Sequence, residues 1–223
     1  MRAVKTGWRL QQLYEGCLMA SLAHAVMVAK YPDLSYEHSW DGFNYSVQDG
    51  LGSRGTISFA KDTCFGAFRV DHLIHEAMDI ELVLGDLDLG VQRLAYDDTL
   101  QYLLDDDGGQ IKPIVTMVFW SDSAGAILSS HDYSRMLEMG RHLLEKQVME
   151  RTQSTKSWQA YYDMNDDQID FMLKLFDRKL QNPNAPIVLT SQELHLLGDD
   201  EEGLAESRTS FHELNILWDS SVV

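Results

Sequence analysis

One residue in this sequence has both the type and the position for covalent chemistry. Cys17 follows Gly16 near the start of a long apolar stretch, and a thiol at a helix N-terminus is drawn toward thiolate by the partial positive charge there. A cysteine hydrolase also needs a general base. His212, at the head of a predicted last strand, is the best placed, with Asn215 or Asp219 to orient its ring. Against this stands the spacing of Leu10, Leu13, Tyr14, Cys17, Leu18, Leu22, Ala25, Val26 and Ala29, the three-four period of a helix that buries one stripe. On that stripe Cys17 is a small core residue, and free cysteine is among the most buried types.

Gln11 lies six residues before Cys17, a step that resembles the one between the oxyanion-hole glutamine and the nucleophile of papain-like peptidases. The resemblance ends there, because no tryptophan follows the cysteine and no glycine-rich run surrounds it. Cys17, His212 and Gln11 therefore form an alternative reading, and no catalytic residue is favoured. His24 is two turns beyond Cys17, roughly 10 Å away on a straight helix, too far to pair with it. It reads as a core-edge histidine.

No metal or cofactor is expected. His72, His75, Glu76 and Asp79 share a helical face but lack the His-Glu-x-x-His order of a zinc site. The string from Asp163 through Asn165 and Asp167 begins like a calcium loop, yet Gln168 stands where a glycine is required and Lys174 where the bidentate glutamate belongs. Neither Asp107-Gly108-Gly109 nor Gly50-Leu51-Gly52 has the lysine or the strand-loop-helix setting of a phosphate loop.

The charge is more informative. Its balance is −17, which argues against nucleic acid as a partner because affinity there comes from cations displacing phosphate counterions. Residues 71–110 hold eleven acids against Arg93, and residues 191–223 hold eight against Arg208. These two segments account for the whole imbalance. Dense carboxylates keep a surface solvated, and they also steer a basic macromolecule toward its site. The expected points of steering are Asp105, Asp106 and Asp107, and Asp199, Asp200, Glu201 and Glu202. Between Ser39 and Tyr45 three aromatics fall in seven positions, and Trp40 and Tyr45 are the expected interface anchors because aromatic side chains dominate such contacts.

The elements that must position these residues follow from hydrophobic period and turn chemistry. A helix is predicted over 10–30, a β-meander over 45–70, and an acidic, mainly helical segment over 71–110. The last includes a helix from His72 to Met78 capped by Asp71, a short strand from Ile80 to Leu84, and a helix from Val91 to Leu104. A central strand comes next over 113–120, apolar on both faces. Two long helices are predicted at 132–151 and 166–181, the second opened by an Asn165/Gln168 capping box. Strands close the chain at Ile187–Leu189 and over 209–218. Strands occur in runs rather than alternating with helices, so the expected class is α+β, a largely antiparallel mixed sheet carrying four or five helices in a single domain over 1–223.

The apolar run Cys17–Ala29 is shorter than the roughly 20 residues that span a bilayer, so no membrane segment is expected. Arg2, Lys5 and Arg9 before it, and Ala23-His24-Ala25 within it, imitate an export signal. Glu15, His24 and a helical period reaching back to Leu10 oppose that reading, and two cysteines suit a reducing, cytoplasmic setting. The functional expectation is a protein-binding module of the immunity or antitoxin class that masks a basic partner.

Overall fold

The computed structural model describes residues 3–218. In chain order the elements are β1 (Val4–Arg9), α1 (Leu10–Met27), β2 (His38–Asp41), β3 (Asn44–Gln48), β4 (Ser53–Ala60), β5 (Thr63–Val70), α2 (Ile80–Leu84), α3 (Leu89–Asp97), β6 (Leu104–Asp107) and β7 (Gln110–Pro113). They continue as β8 (Met117–Ser121), β9 (Ala126–Ser129), α4 (Tyr133–Glu138), α5 (Arg151–Tyr162), α6 (Asp166–Gln181), β10 (Ile187–Leu189), α7 (Ser191–Leu194), α8 (Glu201–Glu213) and β11 (Ile216–Trp218). The class is α+β, as the run of strands predicts. The chain forms two compact units, one from Met1–Tyr14 and Phe43–Val148, the other from Glu15–Gly42 and Met149–Val223. Among the described residues no helix is long and apolar enough to cross a membrane.

In the first unit the strands lie in the order β1-β9-β8-β5-β4-β3, each neighbouring pair antiparallel. β5 and β8 occupy the interior of that order and are buried along nearly their full lengths. The doubly apolar run that predicts a central strand supplies β8, which begins only at Met117, since Pro113, its predicted first residue, instead ends β7. On one face, Phe65 and Ala67 of β5 with Val118 and Trp120 of β8 receive Ile80, Val83 and Leu84 of α2, Val91, Leu94 and Ala95 of α3, and Leu100 and Leu103 of a 3-10 turn. Fully burying each leucine or phenylalanine contributes about 2 kcal/mol. On the other face, Phe119 meets Phe68 at 5.8 Å and, in a T-shaped contact, Trp8 at 5.9 Å between ring centroids. Those rings lie over glycines: Gly55 is in register with Phe68 and Gly66 with Phe119. A Cβ on Gly66 would come within 2.3 Å of the Phe119 ring.

The second unit packs α8 directly on α1. Ser207 donates to the Ala25 carbonyl at 2.6 Å, and one turn away Gly203 lies against the backbone of Ala29. β10 and β11 form a separate parallel pair, with Ile187 opposite Ile216.

Several predicted elements take another form. Ile80–Leu84 is helical because Asp79 accepts from the Glu81 and Leu82 amides, and the buried Ile80, Val83 and Leu84 keep helical spacing. Asp71 does not act as a cap: it begins a 3-10 turn over Asp71–Glu76, and its carboxylate is bound to Arg69. The helix predicted over 91–104 stops at Asp97, and Leu104 instead opens a hairpin turned by Gly108 and Gly109, both at positive φ. The helix predicted over 132–151 breaks after α4 at Gly140, whose φ of 136° lies outside helical space and whose Cα is pressed on Phe68. The first half of the strand predicted over 209–218 is the end of α8, a helix capped by Asp200 and buried through Gly203, Ser207 and Phe211 at four-residue steps. Only Ile216–Trp218 remains a strand, after Asn215 turns the chain at φ 56°.

The α1–α8 contact can be tested by substitution. On Gly203 a Cβ would sit 1.9 Å from the Ala29 carbonyl oxygen, a backbone atom that no rotamer change can move. Gly203→Ala is expected to cost about 3 kcal/mol in denaturant unfolding, more than Gly90→Ala, whose Cβ meets nothing within 4 Å. Equal midpoints for the two variants would refute the close approach.

Candidate functional site

The acidic segment 71–110 becomes a layer with two sides. Ile80, Val83, Leu84, Val91, Leu94, Leu100 and Leu103 face the sheet, so most of its carboxylates, together with Leu82 and Leu89, are left on the outside. Glu81, Asp86, Asp88, Asp97, Asp106 and Asp107 are exposed, and Asp98 and Asp105 are half-buried. Some of this charge is spent within the unit. Arg69, buried on β5, donates to Asp71 at 2.6 Å and to Asp105, and Arg54 lies 4.0 Å from Asp105. The Arg69 guanidinium, with the Asp106 amide, holds the Asp105 carboxyl below the usual carboxylate range. Asp107 is paired with Lys112 at 2.5 Å. Among the described residues Asp88, Asp97, Asp98 and Asp106 form no ion pair. Burial, with the neighbouring Asp97 charge, raises the Asp98 carboxyl.

In the second unit Asp199, Asp200, Glu201 and Glu202 stand exposed before and in the first turn of α8. Asp200 is the cap, accepting from the Gly203 amide at 2.8 Å. Glu201 and Glu202 sit where negative charge complements the helix dipole. Part of this cluster therefore serves the helix itself.

The two expected aromatic anchors belong to the interior. Strand alternation turns His38 and Trp40 inward and Ser39 and Asp41 outward. The Trp40 indole N–H donates to Ser21 Oγ at 2.7 Å, and its amide donates to Glu213 at 2.8 Å. Tyr45 is fully buried, its hydroxyl accepting from Gln147 at 2.9 Å. Within the 39–45 stretch the exposed ring is that of Phe43.

The thiol chemistry fails on access. Cys17 lies well inside α1, away from its N-terminus, and has no exposed surface. Gln11 is exposed in the first turn of the same helix. His212 is exposed near the end of α8 rather than at the head of a strand, and the Asn215 amide is directed to the Asn184 carbonyl at 3.3 Å. Asp219 lies outside the described residues. Burial pushes the other thiol, Cys64, up to about 12. Among the described residues no three His, Cys, Asp or Glu side chains are grouped to hold a metal ion. Glu76 is bound to Arg135, Asp79 caps α2, and Asp163 pairs with Lys30 at 3.6 Å.

Sequence reasoning missed a buried polar network in the second unit. Glu37 accepts hydrogen bonds from Tyr161 and, at 2.9 Å, from Tyr162. Tyr162 Oη lies 3.3 Å from His24 Nδ1, and the His24 ring meets His38 edge-on at 5.4 Å. Trp158 stacks on Tyr162 and meets His38 in a T-shaped contact at 5.4 Å between centroids. The available signal was the four-residue step from Trp158 to Tyr162 beside Tyr161. Glu37 carried none, because nothing local marks a glutamate that will be enclosed.

Two measurements check this description. Burial lowers His24 from 6.5 to about 4, against a smaller opposing effect of the Ser35 backbone. The folded state therefore resists protonation of His24, so stability present at neutral pH is lost as pH falls through 6.5 and levels off below about 4. Wild type is expected to lose up to about 3 kcal/mol more than His24→Gln over that window, read from denaturant unfolding at each pH. Equal pH slopes would refute it. Both thiols should react with an alkylating reagent at the rate of global unfolding, and a Cys17 rate matching a free thiol would restore the hydrolase reading. No family model, no curated protein and no solved structure matches the chain.

Proposed function

We propose that the chain is an acidic protein-binding module of the immunity or antitoxin type, which seats on a basic protein and masks it. The supporting observation is the outer side of the acidic layer. Among the described residues, Asp88, Asp97, Asp98 and Asp106 remain there without ion pairs while Val91, Leu94, Leu100 and Leu103 of the same layer are committed to the sheet. Carboxylates on a firmly packed layer are pre-placed for cations, so little ordering entropy opposes association. Their summed field raises the rate of encounter with a basic surface and falls off with salt over about 10 Å at 0.1 M. Asp199, Glu201 and Glu202 add negative charge on the second unit. The two free, buried thiols fit action in the reducing cytoplasm. The same charge disfavours nucleic acid.

The test is a titration with a short poly-lysine peptide, followed by amide chemical shifts and by affinity at low and physiological salt. Shifts are expected to concentrate on residues 79–113. Neutralising Asp88, Asp97, Asp98 and Asp106 to asparagine should weaken binding about tenfold at low salt and flatten its salt dependence. A control with the same change in charge, at Asp163, Asp166, Asp167 and Asp170, should leave the affinity within about twofold. Equal weakening in both variants would mean that the layer is no site.

A further inference from the structure

The β6–β7 hairpin is built the wrong way round for a solvated ribbon. In an antiparallel pair, directly opposed residues share a face and alternate residues switch faces. Asp105 opposes Lys112 and Asp107 opposes Gln110, while Leu104 opposes Pro113 and Asp106 opposes Ile111. The first set is the polar side, and its half-buried member Asp105 is turned to the sheet, bound by Arg69 and Arg54 from β5 and β4, while Lys112 and Asp107 pair with each other in the open toward the tip. The second set is consequently directed away from the sheet. Ile111 is 69% exposed and Leu104 38%, with Asp106 exposed between them. A hairpin that spends its charges on its own protein and leaves aliphatic side chains in water has the polarity of a contact surface.

We propose that this outward face is where the basic partner seats, through an extended or helical segment that places an aliphatic side chain on Ile111 and Leu104 and a lysine or arginine on Asp106. The inference rests on the binding reading above and goes further by naming the face and the chemistry of the occupant. Charge decides between occupants. A second copy of this chain would set Asp106 and its acidic surroundings against their own kind, in a molecule whose balance is −17, so like charge opposes self-association. A cationic segment gains both the apolar contact and the pairing with Asp106. One oxygen of that carboxylate accepts from the Gly109 amide at 2.6 Å, and the other is placed to accept from a cation.

The experiment compares two labelled peptides of equal charge, one alternating leucine with lysine and one alternating serine with lysine. Wild type is expected to bind the leucine peptide about tenfold more tightly. The double variant Leu104→Thr/Ile111→Thr, which keeps strand propensity on an exposed surface, should lose that preference while holding the serine peptide as before, with an unchanged unfolding midpoint. Asp106→Asn should weaken both peptides. A leucine preference that survives in the double variant overturns the assignment. So does a wild type without preference: if both peptides still bind and the Asp88/Asp97/Asp98/Asp106 variant releases them, the face is wrong and the basic-partner reading stands, whereas binding of neither peptide at low salt sinks both. A dimer of the chain that the double variant dissolves would also overturn it, giving the face to a second copy.

Discussion

Arg69 carries a fixed charge into the interior strand of a sheet, and that charge cannot be left without counterions. A guanidinium does not deprotonate, so the fold must bring carboxylates to it, and removing one partner of such a group costs several kcal/mol. Asp71 is supplied from two residues along the chain, and Asp105 from the hairpin. The second of these determines the orientation of β6 and β7, because strand alternation allows only one face of the hairpin to meet the arginine. Once Asp105 points in, Leu104, Asp106 and Ile111 must point out. The polarity of the outer surface thus follows from a pairing requirement beneath it.

The two units resolve their buried polar groups differently. In the first, ion pairs at the rim of the sheet neutralise arginines, and the apolar interior is continuous from Trp120 to Leu94. In the second, a carboxylate is enclosed among neutral donors: Glu37 is held by two phenols, one of which reaches His24. Hydrogen bonds of this kind compensate a buried charge without a cation. They also link α5 to the segment before β2, so this cluster has a packing role that accounts for its burial without any chemistry.

What was legible in the sequence was what depends on local pattern. The helix α1, the capping box of α6, the β3–β4–β5 meander and the doubly apolar β8 all announce themselves through period or caps, and they are present, although α1 is buried all round from Cys17 onward rather than along one stripe. The errors arose where a nearby side chain or glycine outweighed the pattern. Asp71 was claimed by Arg69 and so could not cap, Gly140 interrupted a helix whose apolar spacing continued past it, and the alternation of the last three strand residues was extended backward over a helix. Trp40 and Tyr45 show the same limit at the site: aromatics beside turn formers signal either a contact surface or a tightly packed corner, and only strand register separates the two. The acidic layer was visible as composition, but the pairing of Asp105 and Asp107 and the outward aspect of Ile111 depend on partners distant in sequence.

The interleaving of the two units bears on how the chain is made. Helix α1 contributes Cys17 to Met27 to the second unit, and its packing partners on α5 and α8 are encoded after residue 149. A ribosome adding about 5–20 residues per second needs on the order of ten seconds to supply them. By the time residue 149 is added the first unit has all of its own strands, while an apolar helix still waits for α5 and α8. Chaperone capture of the nascent protein should therefore centre on residues 17–29 and end when α8 leaves the exit tunnel.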